Sequence, residues 1–309
     1  MGFYAMVLIL IGVLLSAVPV FKRKLKYHKW LKIHKLMGLF YILGIAHSVN
    51  VPTLTSELPI VRTYVYGMAL IGIGAWFYKA FLYNLFNKKL KYTVDNVTHF
   101  DNDVTEISLR PDNKQLKFNS GQFAFVSFEG MNKQEQHPFT ISNHPSEEKL
   151  RFTVKSLGDY TSDLQTSLVE GINAKVEGAF GLFNFKNAKY NNQLWLAGGI
   201  GITPFLSFLK EVNSDYEITL VWSVRTVEQA NYKDEIENMI IQKPNVKFQL
   251  SDSETHGHFT IDKLYTSVQL KNHSVFICGP EVMRENYIDE LLQKGVSIND
   301  VHWEEFSFR

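Results

Sequence analysis

The run Leu194-Trp195-Leu196-Ala197-Gly198-Gly199-Ile200-Gly201-Ile202-Thr203-Pro204-Phe205 leaves a chain few ways to fold. Four apolar residues read as a buried strand. Glycines at 198, 199 and 201 follow, then a threonine suited to cap a helix and a proline suited to its first position. A strand that turns so abruptly into a helix presents unpaired N–H groups and a positive dipole end at its carboxyl edge. Glycines there let a pyrophosphate approach the backbone, so Gly198, Gly199, Gly201, Thr203 and Pro204 are candidate phosphate contacts. The spacing is not GxGxxG, and the acidic ribose partner of that motif is missing. Strands and helices keep alternating. Residues 217–224, 246–250 and 274–277 read as strands, and 205–212, 227–241 and 281–294 as helices. The prediction is a doubly wound α/β nucleotide-binding domain over residues 190–309, with ligands at the strand carboxyl ends. Ser223 and Arg225, at the end of the second strand, suit the 2′-phosphate of NADPH; the alternative is a solvated arginine. Cys278-Gly279-Pro280 ends another strand. Cys278 has no evident histidine partner for a nucleophilic role and suits a small residue lining a nicotinamide site.

Ahead of this domain, residues 92–94, 104–109, 122–128 and 150–155 are short strand-like segments between polar turns. They predict a small antiparallel β-barrel over residues 91–189. Its centre is His137-Pro138-Phe139-Thr140-Ile141-Ser142. Pro138 fixes its own φ and holds the preceding residue extended. Large and hydroxylated side chains then alternate, which in a strand puts them on opposite faces. An aromatic face and a hydroxyl face suit a flat heteroaromatic ring such as an isoalloxazine; the alternative is an ordinary barrel strand. Gly158-Asp159-Tyr160-Thr161 predicts a helix capped by Thr161 and running to residue 169, with an anion site at its start.

The first ninety residues differ in kind. The chain of 309 residues has a formal net charge of +1, which gives no case for nucleic acid. Yet through Val94 the only acidic residue is Glu57, while Lys22, Arg23, Lys24, Lys26, Lys29, Lys32 and Lys35 form a basic block. Apolar stretches flank it. They predict three transmembrane helices near residues 1–20, 30–50 and 60–86, with the basic loop, and everything after the third span, on the cytoplasmic side. The single cysteine excludes an intramolecular disulfide. His34 and His47 lie thirteen positions apart in the second helix, about 20 Å along its axis at ~1.5 Å per residue. Imidazoles at membrane depth suggest function, and haem ligation is one such role; an interfacial His34 and a hydrogen-bonded His47 is the alternative. On an ideal helix the two would point roughly 140° apart, which predicts a distortion near Gly38 or Gly44, or haem planes reached from different sides.

Taken in order, these motifs resemble the NADPH oxidase and ferric reductase superfamily over nearly the whole chain, with a ferredoxin-reductase-type soluble part. The resemblance implies that His137, Pro138, Phe139, Thr140, Ser142, Lys155, Gly158 and Thr161 bind FAD. It also implies that residues 198–204 hold the NAD(P)H pyrophosphate and that Gly279 and Pro280 belong to the nicotinamide loop. Thr140, Cys278 and Phe306 would then stand at the reacting rings, Phe306 as the tail aromatic that stacks on flavin and moves for hydride transfer. His34 and His47 match a haem-iron histidine pair on the family's fifth transmembrane helix. The family uses six helices and a second histidine pair, whereas only three spans and no second pair are read here. Haem b is therefore expected only where a separate N-terminal transmembrane half, or the missing helices of a truncated product, are supplied.

The expected fold is transmembrane α-helices, then an antiparallel β-barrel FAD domain, then the α/β doubly wound domain. The expected function is electron transfer from NADPH, or NADH, through FAD and haem b to oxygen or a ferric chelate across the plasma membrane. A membrane-anchored NAD(P)H:flavin or ferredoxin-type reductase without haem, half of a split oxidase, and a non-catalytic remnant are the rival readings.

Overall fold

The computed structural model describes residues 4, 7, 10–12, 27–51, 57–83, 89–100, 103–131, 135–265, 270 and 272–304. The chain divides into a helical unit, Met1–Lys88, and a larger unit, Lys89–Phe308.

In the helical unit, α1 spans Tyr27–Asn50 and α2 spans Pro59–Phe77, continuing through a π-helical turn, Tyr78–Leu82. Pro59 opens α2 where a missing N–H costs nothing. The helices meet at Gly38. The Trp76 indole N–H donates to the Lys35 carbonyl at 3.0 Å, and its ring takes the space a side chain at position 38 would need.

Three expectations fall in this unit. The predicted span at residues 1–20 lies almost wholly outside the described residues. Among these residues one helix, Pro59–Leu82, is long and apolar enough to cross a bilayer. His34, Lys35, His47 and Asn50 dilute the apolar run of α1. Finally, α1 is continuous from Tyr27 to Asn50, which of the two alternatives leaves haem planes reached from different sides and not a distorted helix.

The larger unit begins with a curled antiparallel sheet. Strands β1 (Leu90–Phe100), β2 (Val104–Pro111), β3 (Phe123–Phe128), β4 (His137–Thr140), β5 (Leu150–Lys155) and β6 (Asn173–Phe180) pair in the order β4-β3-β6-β1-β2-β5. The two end strands then meet: Ile141 bridges Phe152, and the Ser142 amide donates to the Arg151 carbonyl at 2.9 Å. Alternation explains the curl. Along β5, Leu150, Phe152 and Val154 point into the barrel core with Ile107, Leu109, Val126 and Ile141, while Arg151, Thr153 and Lys155 take the other face. Helix α3 (Asp159–Ser167) follows β5.

Five parallel strands build the second domain: β7 (Asn192–Gly198), β8 (Glu217–Val224), β9 (Val246–Asp252), β10 (Ser274–Cys278) and β11 (Val301–Glu304). Their order, β11-β10-β7-β8-β9, places the reversal of winding between β7 and β10. Helices α4 (Thr203–Glu211), α5 (Lys233–Ile240) and α6 (Glu281–Gln293) cover the sheet. Period-two alternation along β7 sends Trp195 and Ala197 to the face under α4 and α5, and Leu194 and Leu196 to the face under α6. The predicted helix over 227–241 is a 3-10 turn, Val227–Gln229, followed by the shorter α5.

Phe208 on α4 is fully buried and touches Phe183, Phe185, Trp195, Phe205 and Phe276, with ring centroids 5.1–5.9 Å apart. Phe208→Ala is therefore expected to cost about 3–5 kcal/mol of stability, read from denaturant unfolding. A loss under about 1 kcal/mol would show that this cluster is not the core of the domain.

Candidate functional site

A cleft of about 340 Å³ opens where β4, β5 and the start of α3 face the glycine loop after β7. That volume lies within the range of small-molecule sites, about 300–1,000 Å³. The barrel contributes His137, Pro138, Phe139, Thr140, Thr153, Val154 and Lys155. The β5–α3 turn adds Leu157, Gly158, Asp159, Tyr160 and Thr161, and the second domain adds Ile200 and Thr203. Eight of the residues singled out from sequence meet here: His137, Pro138, Phe139, Thr140, Lys155, Gly158, Thr161 and Thr203.

Sequence reasoning missed two lining residues that had a readable signal. Thr153 shares a face of β5 with Lys155, two positions on. Tyr160 stacks on the His137 ring, with centroids 3.7 Å apart and planes 16° from parallel. Burial, with the Glu135 carboxylate as a second cause, pushes the Tyr160 phenol up, so it stays neutral. The cleft thus has an aromatic wall beside a cationic Lys155 and the amino end of a nine-residue helix. An aromatic ring system joined to phosphates fits that donor set.

The strand carboxyl ends make a second feature, at the switch point. Gly201 lies against β10: a Cβ there would sit 2.1 Å from the Cys278 carbonyl oxygen. Gly199 takes a positive φ of 53° with open space around it. The Trp222 indole N–H donates to the Gly199 carbonyl at 2.8 Å and ties the loop to β8. Ser223 is directly across from Gly198 on the adjacent strand, and Arg225 follows it. Arg225 is 77 % exposed, with its Nε 3.9 Å from Glu254.

Several assignments made from sequence change. Ser142 is buried; its hydroxyl donates to the Arg151 carbonyl at 3.1 Å and accepts from Arg151 Nε at 3.1 Å, so it braces the barrel and is not among the cleft-lining residues. Thr161 is the third residue of α3, which Gly158 caps; its hydroxyl accepts from the Leu157 and Gly158 amides. Thr203 is likewise inside α4 and not its cap, because the 3-10 turn Gly199–Ile202 leads straight into the helix; its hydroxyl donates to the Ile200 carbonyl at 3.2 Å. Cys278 is fully buried, and burial together with nearby Glu304 pushes the thiol well up, which disfavours the thiolate a nucleophile needs. Gly279 and Pro280 lead from β10 into α6. Phe306 lies outside the described residues.

Residues 89–202 match the model of an FAD-binding domain, and residues 195–288 that of an oxidoreductase NAD-binding domain. The chain is 31% identical over 207 residues to ferric reduction oxidase 8, mitochondrial, of Arabidopsis thaliana. It is 26% identical over 267 residues to dual oxidase 2 of Rattus norvegicus. These matches cover 56% and 81% of this chain but only 28% and 16% of those relatives. Residues 89–288 thus carry the FAD-binding and NAD-binding domains of an oxidoreductase, and their likeness to a ferric reduction oxidase and a dual oxidase supports the NADPH oxidase and ferric reductase superfamily. Among solved structures, a flavohemoglobin from Malassezia yamatoensis, with bound FAD and heme, superposes with a TM-score of 0.67 at 18% identity, covering 98% of this chain and 79% of that one. A ferredoxin-NADP+ reductase from Plasmodium falciparum gives 0.59 at 23% identity, covering 70% and 95%. At such identities the likeness is one of fold.

One acidic group at the domain junction stands out. Glu304 ends β11 beside Cys278 and comes close to Gly181 of the barrel. Burial pushes its carboxyl from the ordinary 4.5 up to about 8. The folded protein therefore holds a proton that the unfolded chain has released between these values. The sign follows: this contribution is complete below pH 4.5 and is lost as pH rises toward about 8. Glu304→Gln is expected to gain stability relative to wild type as pH rises through that window, measured by denaturant unfolding. A pH-independent difference would contradict the raised carboxyl.

Proposed function

We propose that this chain is a membrane-anchored NAD(P)H-dependent flavoprotein that draws electrons from NADPH, with NADH as a second donor, and delivers them to oxygen or a ferric chelate. One observation carries the reading. The cleft that suits a flavin is lined by both domains, so Ile200 of the nucleotide loop and Thr203 at the start of α4 stand at the same opening as Thr140 and Lys155 of the barrel. In this reading Pro138, Phe139 and Thr140 hold the ring of FAD, and Lys155 with the first amides of α3 holds its phosphates. FAD, when bound, supplies the exchange between hydride transfer and single-electron release. Gly198, Gly199 and Gly201 shape the pyrophosphate seat, and Ser223 and Arg225 receive the 2′-phosphate. Cys278 and Gly279 keep the nicotinamide end small and uncharged.

The helical unit is read as the anchor, in the cell membrane with the two soluble domains cytoplasmic. Its basic block and the apolar Pro59–Leu82 helix support this. Its histidines are His28, His34 and His47. That donor set does not complete two bis-histidine haems, so electron delivery across the membrane requires a further transmembrane half that carries the partner histidines. The same shortage supports a second reading, a haem-free reductase with a cytosolic acceptor. A reduced-minus-oxidised spectrum separates the two: a haem-b band on co-expression with such a half supports the first, and its absence supports the second.

Two outcomes are expected of the purified chain. Supplied with FAD, it retains the flavin and oxidises NADPH, and Thr140→Trp, which fills the cleft wall, abolishes retention; full flavin content in that variant would move the flavin elsewhere. Arg225→Ala raises the KM for NADPH about 3- to 10-fold, the scale of an exposed charge-assisted contact, and leaves that for NADH nearly unchanged. An equal rise for both removes the 2′-phosphate role.

A further inference from the structure

The face of β5 that carries Arg151, Thr153 and Lys155 has a use beyond lining a cleft. Lys155 and Thr153 reach the cleft itself. Arg151, one step further from it, crosses to the other domain. Its guanidinium makes a two-pronged contact with Glu235 on α5, Nη1 to Oε2 at 2.9 Å and Nη2 to Oε1 at 3.0 Å. The same group donates Nη2 to the Ser142 carbonyl at 3.0 Å and Nε to the Ser142 hydroxyl at 3.1 Å. Ser142 is two residues past Thr140, on the segment that forms the cleft wall. One planar cation thus grips that wall and a helix of the nucleotide domain together. A guanidinium is the side chain suited to such a double fork.

A second polar link runs alongside. The Tyr232 hydroxyl, just ahead of α5, donates to Glu106 at 2.8 Å and lies 2.7 Å from the Thr153 hydroxyl. Glu106 is 3.7 Å from Arg151 Nη1, which joins both links into one network. Lys210 on α4 approaches Glu235 at 3.8 Å and Glu147 of the barrel at 3.0 Å. Arg151 is mostly buried, with 17% of its side chain exposed. Water therefore competes little for the contact.

We propose that Arg151 and Glu235 are a positioning pair: they set the register of the nucleotide domain against the flavin-binding wall, and through it the approach of the nicotinamide to the flavin. Neither residue is among those lining the cleft. The proposal rests on the FAD and NADPH reading given above. Misplacement by about 1 Å at a reacting centre can cost up to ~100-fold in rate, so a slack clamp acts on turnover more than on binding.

The test uses the full chain in detergent, with Glu235→Gln and Arg151→Ala as single and double variants. By amide hydrogen exchange, residues 140–143 and 233–240 are expected to exchange at least about tenfold faster in each variant, while β7 and β8 stay as in wild type. With flavin content equal to wild type, kcat for NADPH oxidation falls about tenfold and KM changes less than about twofold. The double variant falls no further than the worse single, the mark of residues acting as one unit. Should Arg151→Ala fail to fold, Glu235→Gln, which leaves the Ser142 contacts in place, carries the test alone. Unchanged exchange at 140–143 and 233–240, or a kcat within twofold of wild type, overturns the proposal. A wild-type chain that consumes no NADPH would instead sink the functional reading, and the exchange measurement would still decide on the clamp.

Discussion

The structure turns on a backbone contact. The Cys278 carbonyl occupies the space where a side chain at position 201 would stand, so the loop after β7 and the loop after β10 meet without side chains between them. That meeting is possible because the parallel sheet reverses its winding between these two strands, which leaves a crevice at their carboxyl ends. The loop that follows β7 then feeds α4 directly, and Ile200 of the loop and Thr203 of the helix arrive at the opening of the barrel cleft. A bulkier residue at 201 would push the loops apart and dismantle both features at once.

Around this contact the two domains divide the physical work. Aromatic packing under α4, with Phe183, Phe185, Trp195, Phe205, Phe208 and Phe276, supplies a rigid floor beneath the glycine loop. The barrel contributes a wall whose buried side is apolar and whose outer side is polar. Burial of ionisable groups at the junction favours their neutral forms: the Glu304 carboxyl is raised to about 8, and the Tyr232 and Tyr160 phenols are raised as well, chiefly by burial. The Arg151–Glu235 pair brings charge to the same junction, joined by two parallel hydrogen bonds.

Much of the candidate site was legible along the chain. The β5 limits, residues 150–155, and the β8 limits, residues 217–224, match the strands read from the sequence. The residues of the His-Pro-Phe-Thr stretch and the Gly-Asp-Tyr-Thr stretch do converge on one cleft. Capping was misjudged at Thr161 and Thr203, because local preference cannot tell a capping hydroxyl from one that reaches back from the third position or sits on a preceding 3-10 turn. Ser142 was read as facing a ligand because alternation assigns a face but does not say what lies opposite it. In the folded chain Arg151 lies opposite. For the helical unit, apolar composition suggested three spans, but the polar residues distributed along α1 leave one qualifying helix among the described residues.

By itself the sequence determined most of the strands and helices that build the site, where glycine and proline punctuate them, and that an aromatic, hydroxyl-rich strand precedes a phosphate-suited turn. These are properties of neighbouring residues, set by local sterics and by the two periodicities of helix and strand. Only the tertiary structure decided which faces meet. It buried Glu304 beside Cys278 and carried Arg151 across to Glu235, eighty-four positions away in the chain. Such pairings depend on sheet order and on closure of the barrel through Ile141 and Phe152, and sequence separation holds no record of either.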